Sequence, residues 1–187
     1  METDYHTLYL SLPITNQKIN MAKAIVLGGC GAVGQHAVKT LVNTDTFSEV
    51  VIGDANVKKA QQMQQELGSK VSIRKFNALD ANSCQEVMSG CDLVLNCVGP
   101  FYSTVKTILI TAIEMGINYV DVCDDPDVTL EILDMDDQAK QAGITALIGM
   151  GASPGLTNLI AKLATEELLD ETDSIDIFHT HGGEPFE

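Results

Sequence analysis

The residues best suited to chemistry form a glycine-rich turn at 29–34, with the sequence Gly-Cys-Gly-Ala-Val-Gly. An apolar run at 24–27 precedes this turn and a helix-like segment at 35–42 follows it. Glycines in such a turn allow a tight bend, let the backbone approach a pyrophosphate and let the helix pack closely on the strand. The N–H groups and the dipole at the helix N-terminus attract phosphate. We therefore expect a dinucleotide to bind at Gly29, Gly31, Ala32, Val33 and Gly34.

An acidic residue stands where this kind of turn requires one. Asp54 ends a second apolar run, 50–52, and lies about 20 residues beyond the turn. A carboxylate there accepts hydrogen bonds from the adenosine ribose and repels a 2′-phosphate, whereas a neighbouring arginine would accept that phosphate. The next residue is Ala55, so the sequence predicts NAD in preference to NADP. Lys58 and Lys59, one helical turn later, could soften that preference.

The glycine turn leaves two alternatives open. Gly28 precedes Gly29, so the register can shift by one residue, although only Gly29 gives the full glycine pattern. Glycine turns are also common, and a doubly wound domain can carry one without binding a nucleotide.

The balance of charges excludes one class of partner. The chain has 26 acidic and 11 basic residues, and its formal net charge is −15. Such a surface repels the phosphate backbone of nucleic acids. We therefore expect a small-molecule substrate and no nucleic acid. We also expect no membrane partner, because no apolar run approaches the roughly 18 residues that span a bilayer.

The cysteines indicate a reducing compartment. Their number is odd and no Cys-x-x-Cys pair is present, which argues against disulfides and against a metal site and favours the cytoplasm. A reactive role for Cys123 is less favoured than a buried thiol, because no histidine or lysine partner is visible. The five are Cys30, Cys84, Cys91, Cys97 and Cys123.

Apolar runs alternate with helix-period segments along the chain. This alternation predicts an α/β fold with a doubly wound parallel sheet of the Rossmann type. The period-two pattern at 174–178 predicts a seventh strand after the first six. The six strands are expected at 23–28, 49–53, 71–75, 92–98, 119–122 and 144–148, and the helices at 32–43, 57–67, 81–89, 104–115, 128–142 and 158–169.

Unusual residues collect where the predicted strands end. Ligands bind at the carboxyl ends of the strands in such sheets. Asp80 follows the third strand there, although Asp80 or Asn82 is also expected to cap the next helix. Tyr102 follows the fourth strand and could face a nicotinamide. The paired carboxylates of Asp124 and Asp125 follow the fifth; they could hold a substrate ammonium, or cap the helix that begins near Pro126.

Four motifs in order resemble the saccharopine dehydrogenase-like oxidoreductases. They are the glycine turn within 26–34, Asn-Cys-Val-Gly-Pro-Phe at 96–101, Tyr-Val-Asp at 119–121, and Gly-Ala-Ser-Pro-Gly-Leu-Thr-Asn at 151–158. The resemblance covers roughly residues 23–182. The first motif is generic, whereas the Gly-Pro-Phe and Pro-Gly-Leu-Thr-Asn segments are far more specific.

The resemblance implies hydride transfer between NAD(P) and a carbon–nitrogen centre of an amino acid or polyamine precursor. It places the pyrophosphate on Gly29, Gly31, Ala32 and Val33. It further implies that Val98, Gly99 and Pro100 line the nicotinamide side and that Asp124 or Asp125 lies near the substrate amine; Asp124 and Tyr102 are the catalytic candidates.

The resemblance also sets the expected domain organisation. A dinucleotide-binding domain is expected at 21–172. Family members have a second, larger α+β domain, and 173–187 would be its truncated start. Residues 1–20 are expected to be a weakly structured leader, or else to carry an edge strand at 7–12. An open edge strand at 174–178 predicts a homodimer. The alternative function is a non-catalytic nucleotide-binding or assembly module.

Overall fold

The computed structural model describes residues 22–178, which form a parallel sheet covered by helices on both faces. The strands are β1 (Ala22–Leu27), β2 (Phe47–Gly53), β3 (Val71–Arg74), β4 (Leu93–Asn96), β5 (Asn118–Asp121) and β6 (Ala146–Leu147). The helices are α1 (Ala32–Val42), α2 (Val57–Leu67), α3 (Ala81–Met88), α4 (Phe101–Met115), α5 (Pro126–Leu133), α6 (Asp136–Ala142) and α7 (Leu156–Leu163), and a π-helical turn follows at Ala164–Leu168.

The strand order confirms the predicted fold class. The six strands run β3-β2-β1-β4-β5-β6, and every pair is parallel. This is the order of a doubly wound dinucleotide-binding fold. The chain reverses its direction of winding between β1 and β4, whose residues Leu27 and Asn96 are paired. A crevice is expected outside the carboxyl ends of those two strands.

Both faces of the sheet are buried, because successive side chains of a strand point to opposite faces. In β1, Ile25 and Leu27 pack into the cluster that also holds residues of α3, α4 and α5. Val26 packs into the second cluster, with Val38 of α1 and Ala60 of α2. The aliphatic composition of β1 thus follows from helices covering both sides.

The boundaries of several helices follow from capping residues. The side chain of Asn56 accepts from the Lys59 N–H at the start of α2. Asp80 and Asp125 do the same for α3 and α5. The left-handed conformation of Gly116 ends α4.

The structure corrects three helix predictions. The segment predicted as one helix at 158–169 forms α7 (Leu156–Leu163) and the π-helical turn at Ala164–Leu168. The segment 128–142 forms two helices, because the backbone leaves helical geometry at Met135, which packs against the core. Helix α4 begins at Phe101, three residues before the predicted start at Thr104, because Pro100 has the extended geometry of an N-cap.

The predicted seventh strand is wrong. Residues 174–178 have no regular secondary structure, and Phe178 is 92% exposed. An alternating pattern forms a strand only when its apolar face is covered and its backbone finds a partner strand. The described residues supply neither for this segment.

Other predictions fall outside the described residues. These are the leader at 1–20 and the alternative edge strand at 7–12. Within residues 22–178, none of the helices has the length and apolar character needed to cross a membrane.

Candidate cofactor-binding site

A cleft of about 570 Å³ lies at the carboxyl ends of β1 to β4. It therefore occupies the place where the winding of the sheet reverses. Its walls combine backbone of the glycine turn, one carboxylate, two lysines and a few apolar groups. The lining residues are Gly28, Cys30, Gly31, Asp54, Ala55, Asn56, Lys59, Lys75, Phe76, Asn77, Ala78, Cys97, Val98 and Gly99.

The bend of the glycine turn falls on Gly28, one residue before the predicted Gly29. Gly28 has a φ of +70° and donates from its N–H to the Gly53 carbonyl oxygen at 2.8 Å. A Cβ there would lie 2.8 Å from the Cys97 carbonyl oxygen. Gly28 thus lets β1 turn while β4 runs alongside; which of the two glycines begins the nucleotide-binding pattern stays a prediction.

Gly34 brings α1 against the turn. A Cβ on Gly34 would lie 2.1 Å from the Gly28 carbonyl oxygen, a distance that no side chain tolerates. Gly31 is the N-cap of α1 and offers no side-chain acceptor. The N–H groups in the first turn of α1, at 32–34, have no intrahelical partners and can bind an anion.

Asp54 ties β2 to this turn. One carboxylate oxygen accepts from the Cys30 N–H at 2.9 Å, and the other accepts from the Asn56 N–H at 2.8 Å. The carboxylate therefore holds the glycine turn with one oxygen and the backbone at the start of α2 with the other. Its remaining lone pairs can still accept from a ribose hydroxyl, and Ala55 beside it lines the cleft.

Two lysines give one end of the cleft a positive charge. Lys59 in α2 and Lys75 after β3 are both exposed, and both line the cleft next to Asp54 and Asn77. The chain is otherwise strongly acidic. A pair of ammonium groups at the adenosine end matches a phosphate better than a neutral ribose diol.

The two cysteines of the cleft are protonated thiols at neutral pH. Burial, followed by the charge of Asp54 and a hydrogen bond to it, raises the pKa of Cys30 to about 11. Burial, followed by the charge of Asp121, raises the pKa of Cys97 to about 11. Cys123 lies deeper in the core and burial raises its pKa as well. None of the three has the lowered pKa of a nucleophilic cysteine.

The far end of the cleft is formed by the loop after β4. Val98 and Gly99 line it, and a Cβ on Gly99 would meet open space. The Val98 N–H donates to the Asn96 side chain at 3.0 Å, and the Thr104 hydroxyl donates to the Val98 carbonyl oxygen at 3.0 Å. Pro100 is the N-cap of α4 and lies outside the lining.

The structure places the catalytic candidates away from the cleft lining. Asp124 is exposed on the loop after β5, and its neighbour Asp125 caps α5. Tyr102 is 70% exposed in the first turn of α4. Asp80 accepts from the N–H groups of 82 and 83 and so caps α3. Their predicted roles toward substrate or cofactor remain predictions.

Several lining residues, including three that directly follow a strand, were not among the predicted cofactor-binding residues. Lys75 and Phe76 directly follow β3, and Cys97 directly follows β4. The rule that ligands meet the carboxyl ends of strands would have found them if it had been applied from the first residue after each strand. Within residues 22–178, no group of three or more His, Cys, Asp or Glu side chains is arranged to hold a metal ion.

One protein-family model matches most of this chain. Residues 24–147 match the model of the saccharopine dehydrogenase NADP binding domain. This chain belongs to that family. The resemblance read from the four motifs is confirmed, and the matched range contains every residue that lines the cleft.

Two curated relatives match most of this chain. A carboxyaminopropylagmatine dehydrogenase from Synechocystis sp. is 27% identical over 172 residues, which cover 87% of this chain and 42% of that protein. A carboxynorspermidine synthase from Vibrio cholerae is 27% identical over 178 residues, covering 84% and 42% respectively. This chain thus spans about 42% of the length of these relatives.

A solved structure supports the same fold. The apo saccharopine dehydrogenase (L-Glu forming) of Saccharomyces cerevisiae superposes with a TM-score of 0.65 at 21% identity. The superposition covers 78% of this chain and 31% of that one.

The family match bears on the cofactor. A nucleotide cofactor is supported, because the matched model is that of an NADP binding domain. The predicted preference for NAD over NADP runs against that description. The Asp54 carboxylate is engaged by the amides of Cys30 and Asn56, and Lys59 and Lys75 line the same cleft.

Proposed function

We propose that this chain binds NADP(H) for an oxidoreductase that transfers hydride at a carbon–nitrogen centre of an amino acid or polyamine precursor. The observation that carries the proposal is the cleft between β1 and β4, with the Asp54-held glycine turn on one side and Val98 and Gly99 on the other. Adenosine and pyrophosphate occupy the part formed by Asn77, Lys59 and the turn. The nicotinamide, which supplies the hydride chemistry when bound, faces the loop after β4.

The donors present fit such a cofactor. The first-turn N–H groups of α1 receive the pyrophosphate, and Gly31 leaves room for it to approach the backbone. Asp54 fixes the turn and accepts from the ribose. Lys59 and Lys75 neutralise a 2′-phosphate, and this is the basis for preferring NADP over NAD at this site.

The substrate class rests on the relatives. Two of them are named for carboxylated polyamines, carboxyaminopropylagmatine and carboxynorspermidine. A cationic amine of that kind suits a carboxylate such as Asp124, on the loop after β5. Tyr102, at the start of α4, is the second candidate for contact with substrate. We assign the other substrate contacts to the part of the relatives' sequences that lies outside the match with this chain.

A non-catalytic nucleotide-binding module is the second candidate. One observation favours it: neither Asp124 nor Tyr102 lines the cleft among the described residues. Under this alternative the chain binds NADPH without any role for those two side chains. No NADPH-dependent turnover of an amine substrate is then expected, whereas the oxidoreductase proposal expects turnover, with a KM for the amine substrate that rises in Asp124→Asn.

A titration tests the binding step directly. The chain has no tryptophan, so no energy transfer from tryptophan contributes when the fluorescence of NADPH is followed. We expect a saturable increase in nicotinamide fluorescence with NADPH and a weaker one with NADH. Absence of binding to either nucleotide at millimolar concentration would overturn the proposal.

The remaining assignments are also proposals. All five cysteines are free thiols, which supports a reducing compartment such as the cytoplasm. The homodimer remains a prediction, although the strand at 174–178 on which it rested is not formed. Sedimentation of the chain at micromolar concentration measures its oligomeric state.

A further inference from the structure

Three polar side chains lie fully buried in β4 and β5, which are inner strands of the sheet. Asn96 at the end of β4, and Tyr119 and Asp121 in β5, each have 0% exposure. Asn96 and Asp121 are paired in the register of the two strands. Apolar residues would be the expected occupants of these positions, and none of the roles assigned above accounts for the three. We call them the buried polar network.

The three side chains form a continuous chain of hydrogen bonds. The Asn96 amide donates to the Tyr119 oxygen at 3.0 Å. The Tyr119 hydroxyl donates to the Asp121 carboxylate at 2.8 Å. Burial, followed by the charge of Asp121, raises the pKa of Tyr119 well above its usual value, so the hydroxyl keeps its proton and remains a donor.

Each end of the network holds a loop at the carboxyl edge. The Asn96 oxygen accepts from the Val98 N–H at 3.0 Å, in the loop after β4. The second Asp121 oxygen accepts from the N–H of Cys123 at 3.0 Å and from that of Gly149 at 2.8 Å. The loops after β4, β5 and β6 are therefore bonded to one buried carboxylate and its two partners.

This arrangement stabilises a charge that burial alone would disfavour. Hydrogen bonds from one hydroxyl and two amides replace the water that Asp121 loses. Such bonds are short-ranged and directional. A shift of Asp121 or Tyr119 is thus transmitted to the backbone of Val98, which borders the cleft, and to that of Cys123, next to Asp124.

We propose that the buried polar network positions the nicotinamide end of the site, by fixing the Val98–Gly99 backbone relative to the loop after β5. The inference rests on the proposed function, because it assigns the nicotinamide to this end of the cleft. It predicts that weakening the network disturbs the nicotinamide half of the ligand and leaves the adenosine half, held by the glycine turn and the two lysines, unaffected.

Two ligands separate the two halves of the cleft. NADPH fills the whole site, whereas adenosine 2′,5′-bisphosphate carries the 2′-phosphate and lacks the nicotinamide. The test variant is Tyr119→Phe, which keeps the ring and removes only the hydroxyl that links Asn96 to Asp121. The matched control is Thr111→Val, which removes a buried hydroxyl of α4 that donates to the Thr107 carbonyl oxygen, away from the cleft.

The expected result is a selective loss. Tyr119→Phe lowers the affinity for NADPH by about tenfold and reduces the enhancement of nicotinamide fluorescence, while the affinity for the bisphosphate stays within about twofold. Thr111→Val changes neither affinity. If Tyr119→Phe does not fold, as judged by circular dichroism, Asn96→Ser removes the amide that bonds both the Val98 N–H and the Tyr119 oxygen, and it carries the same expectation.

Two results would overturn the inference. Equal weakening of NADPH and the bisphosphate would show that the network supports the whole fold without favouring one end of the site. Unchanged affinity and fluorescence in folded variants would show that it does not position the ligand. If the wild-type chain binds neither ligand, the proposed function itself fails, and that result is distinct from both.

Discussion

The carboxylate of Asp54 accepts a hydrogen bond from the backbone N–H of Cys30 at 2.9 Å. The acid at the end of β2 thus holds the glycine turn at the end of β1. Because this turn leads into the N-terminus of α1, Asp54 holds the backbone that we propose as the phosphate site. The sequence predicted Asp54 as a ribose ligand, and the structure gives it this structural role as well.

Replacement of Asp54 by alanine is expected to weaken both the turn and the binding of NADPH. The buried Cys30 N–H loses its acceptor, and an unsatisfied buried donor costs about 1–3 kcal/mol of stability. We expect the affinity for NADPH, measured by fluorescence titration, to fall by at least about tenfold.

A matched control for Asp54 exists at the other end of β1. The Asp92 carboxylate accepts from the Lys23 N–H at 2.7 Å, far from the cleft. Asp92→Ala removes a comparable bond and should leave NADPH affinity within about twofold. If Asp54→Ala binds NADPH as tightly as Asp92→Ala does, the role given to Asp54 is wrong.

Gly34→Ala is expected to destabilise the chain strongly. The added Cβ would lie 2.1 Å from the Gly28 carbonyl oxygen, so α1 must move away from β1. Overpacking costs about 1–3 kcal/mol and occasionally more, and thermal unfolding measures the loss. Gly99→Ala is the comparison, because its Cβ meets open space; a Tm for Gly34→Ala equal to that of Gly99→Ala would contradict this packing.

Lys59 and Lys75 are expected to set the preference for NADPH over NADH. Lys59→Gln or Lys75→Gln removes one charge facing the 2′-phosphate and should lower NADPH affinity by about three- to tenfold, with NADH affinity unchanged. The difference should shrink as salt is added, because the charges are exposed. Lys58→Gln is the control, since Lys58 neighbours Lys59 but does not line the cleft. A similar loss in all three variants would point to general electrostatics instead of a phosphate site.

The chain is expected to lose stability at alkaline pH through its buried thiols. Burial raises the pKa of Cys84 from 9.0 to about 11, with a further contribution from Asp80. The neutral thiol is favoured in the folded chain, so its contribution is complete below pH 9 and is lost as pH rises toward 11. Each such thiol adds at most about 1 kcal/mol per pH unit to the fall in the free energy of unfolding with pH. Cys84→Ala should flatten the pH dependence of urea unfolding over this range; an unchanged slope would exclude the effect.

The sequence predicted those parts of the molecule that depend on local pattern. Helix α2 matches its predicted range, because Asn56 and Gly68 mark its ends. The alternation of short strands and helices predicted the doubly wound parallel sheet. Glycines and the acid at 54 located the cleft because each meets a steric or electrostatic demand of the turn.

Features that depend on tertiary contacts were not predictable in this way. The strand pattern at 174–178 lacks the partner that a strand needs. The split of the helix at Met135 depends on that residue packing against the core. The buried polar network needed the register of β4 and β5, which places Asn96 beside Asp121; its one sequence signal was the presence of polar residues in otherwise apolar strands.

The most direct test of the central claim is a map of backbone amide shifts on addition of NADPH, by ¹H–¹⁵N correlation spectroscopy. The account predicts the largest changes at Gly28, Gly31, Ala55, Asn77 and Gly99, around the cleft. A second cavity, of about 290 Å³ and lined by Ile132, Lys140 and Thr145 among others, provides the internal comparison. Shifts confined to that cavity, or absent from the cleft at saturating NADPH, would contradict the account.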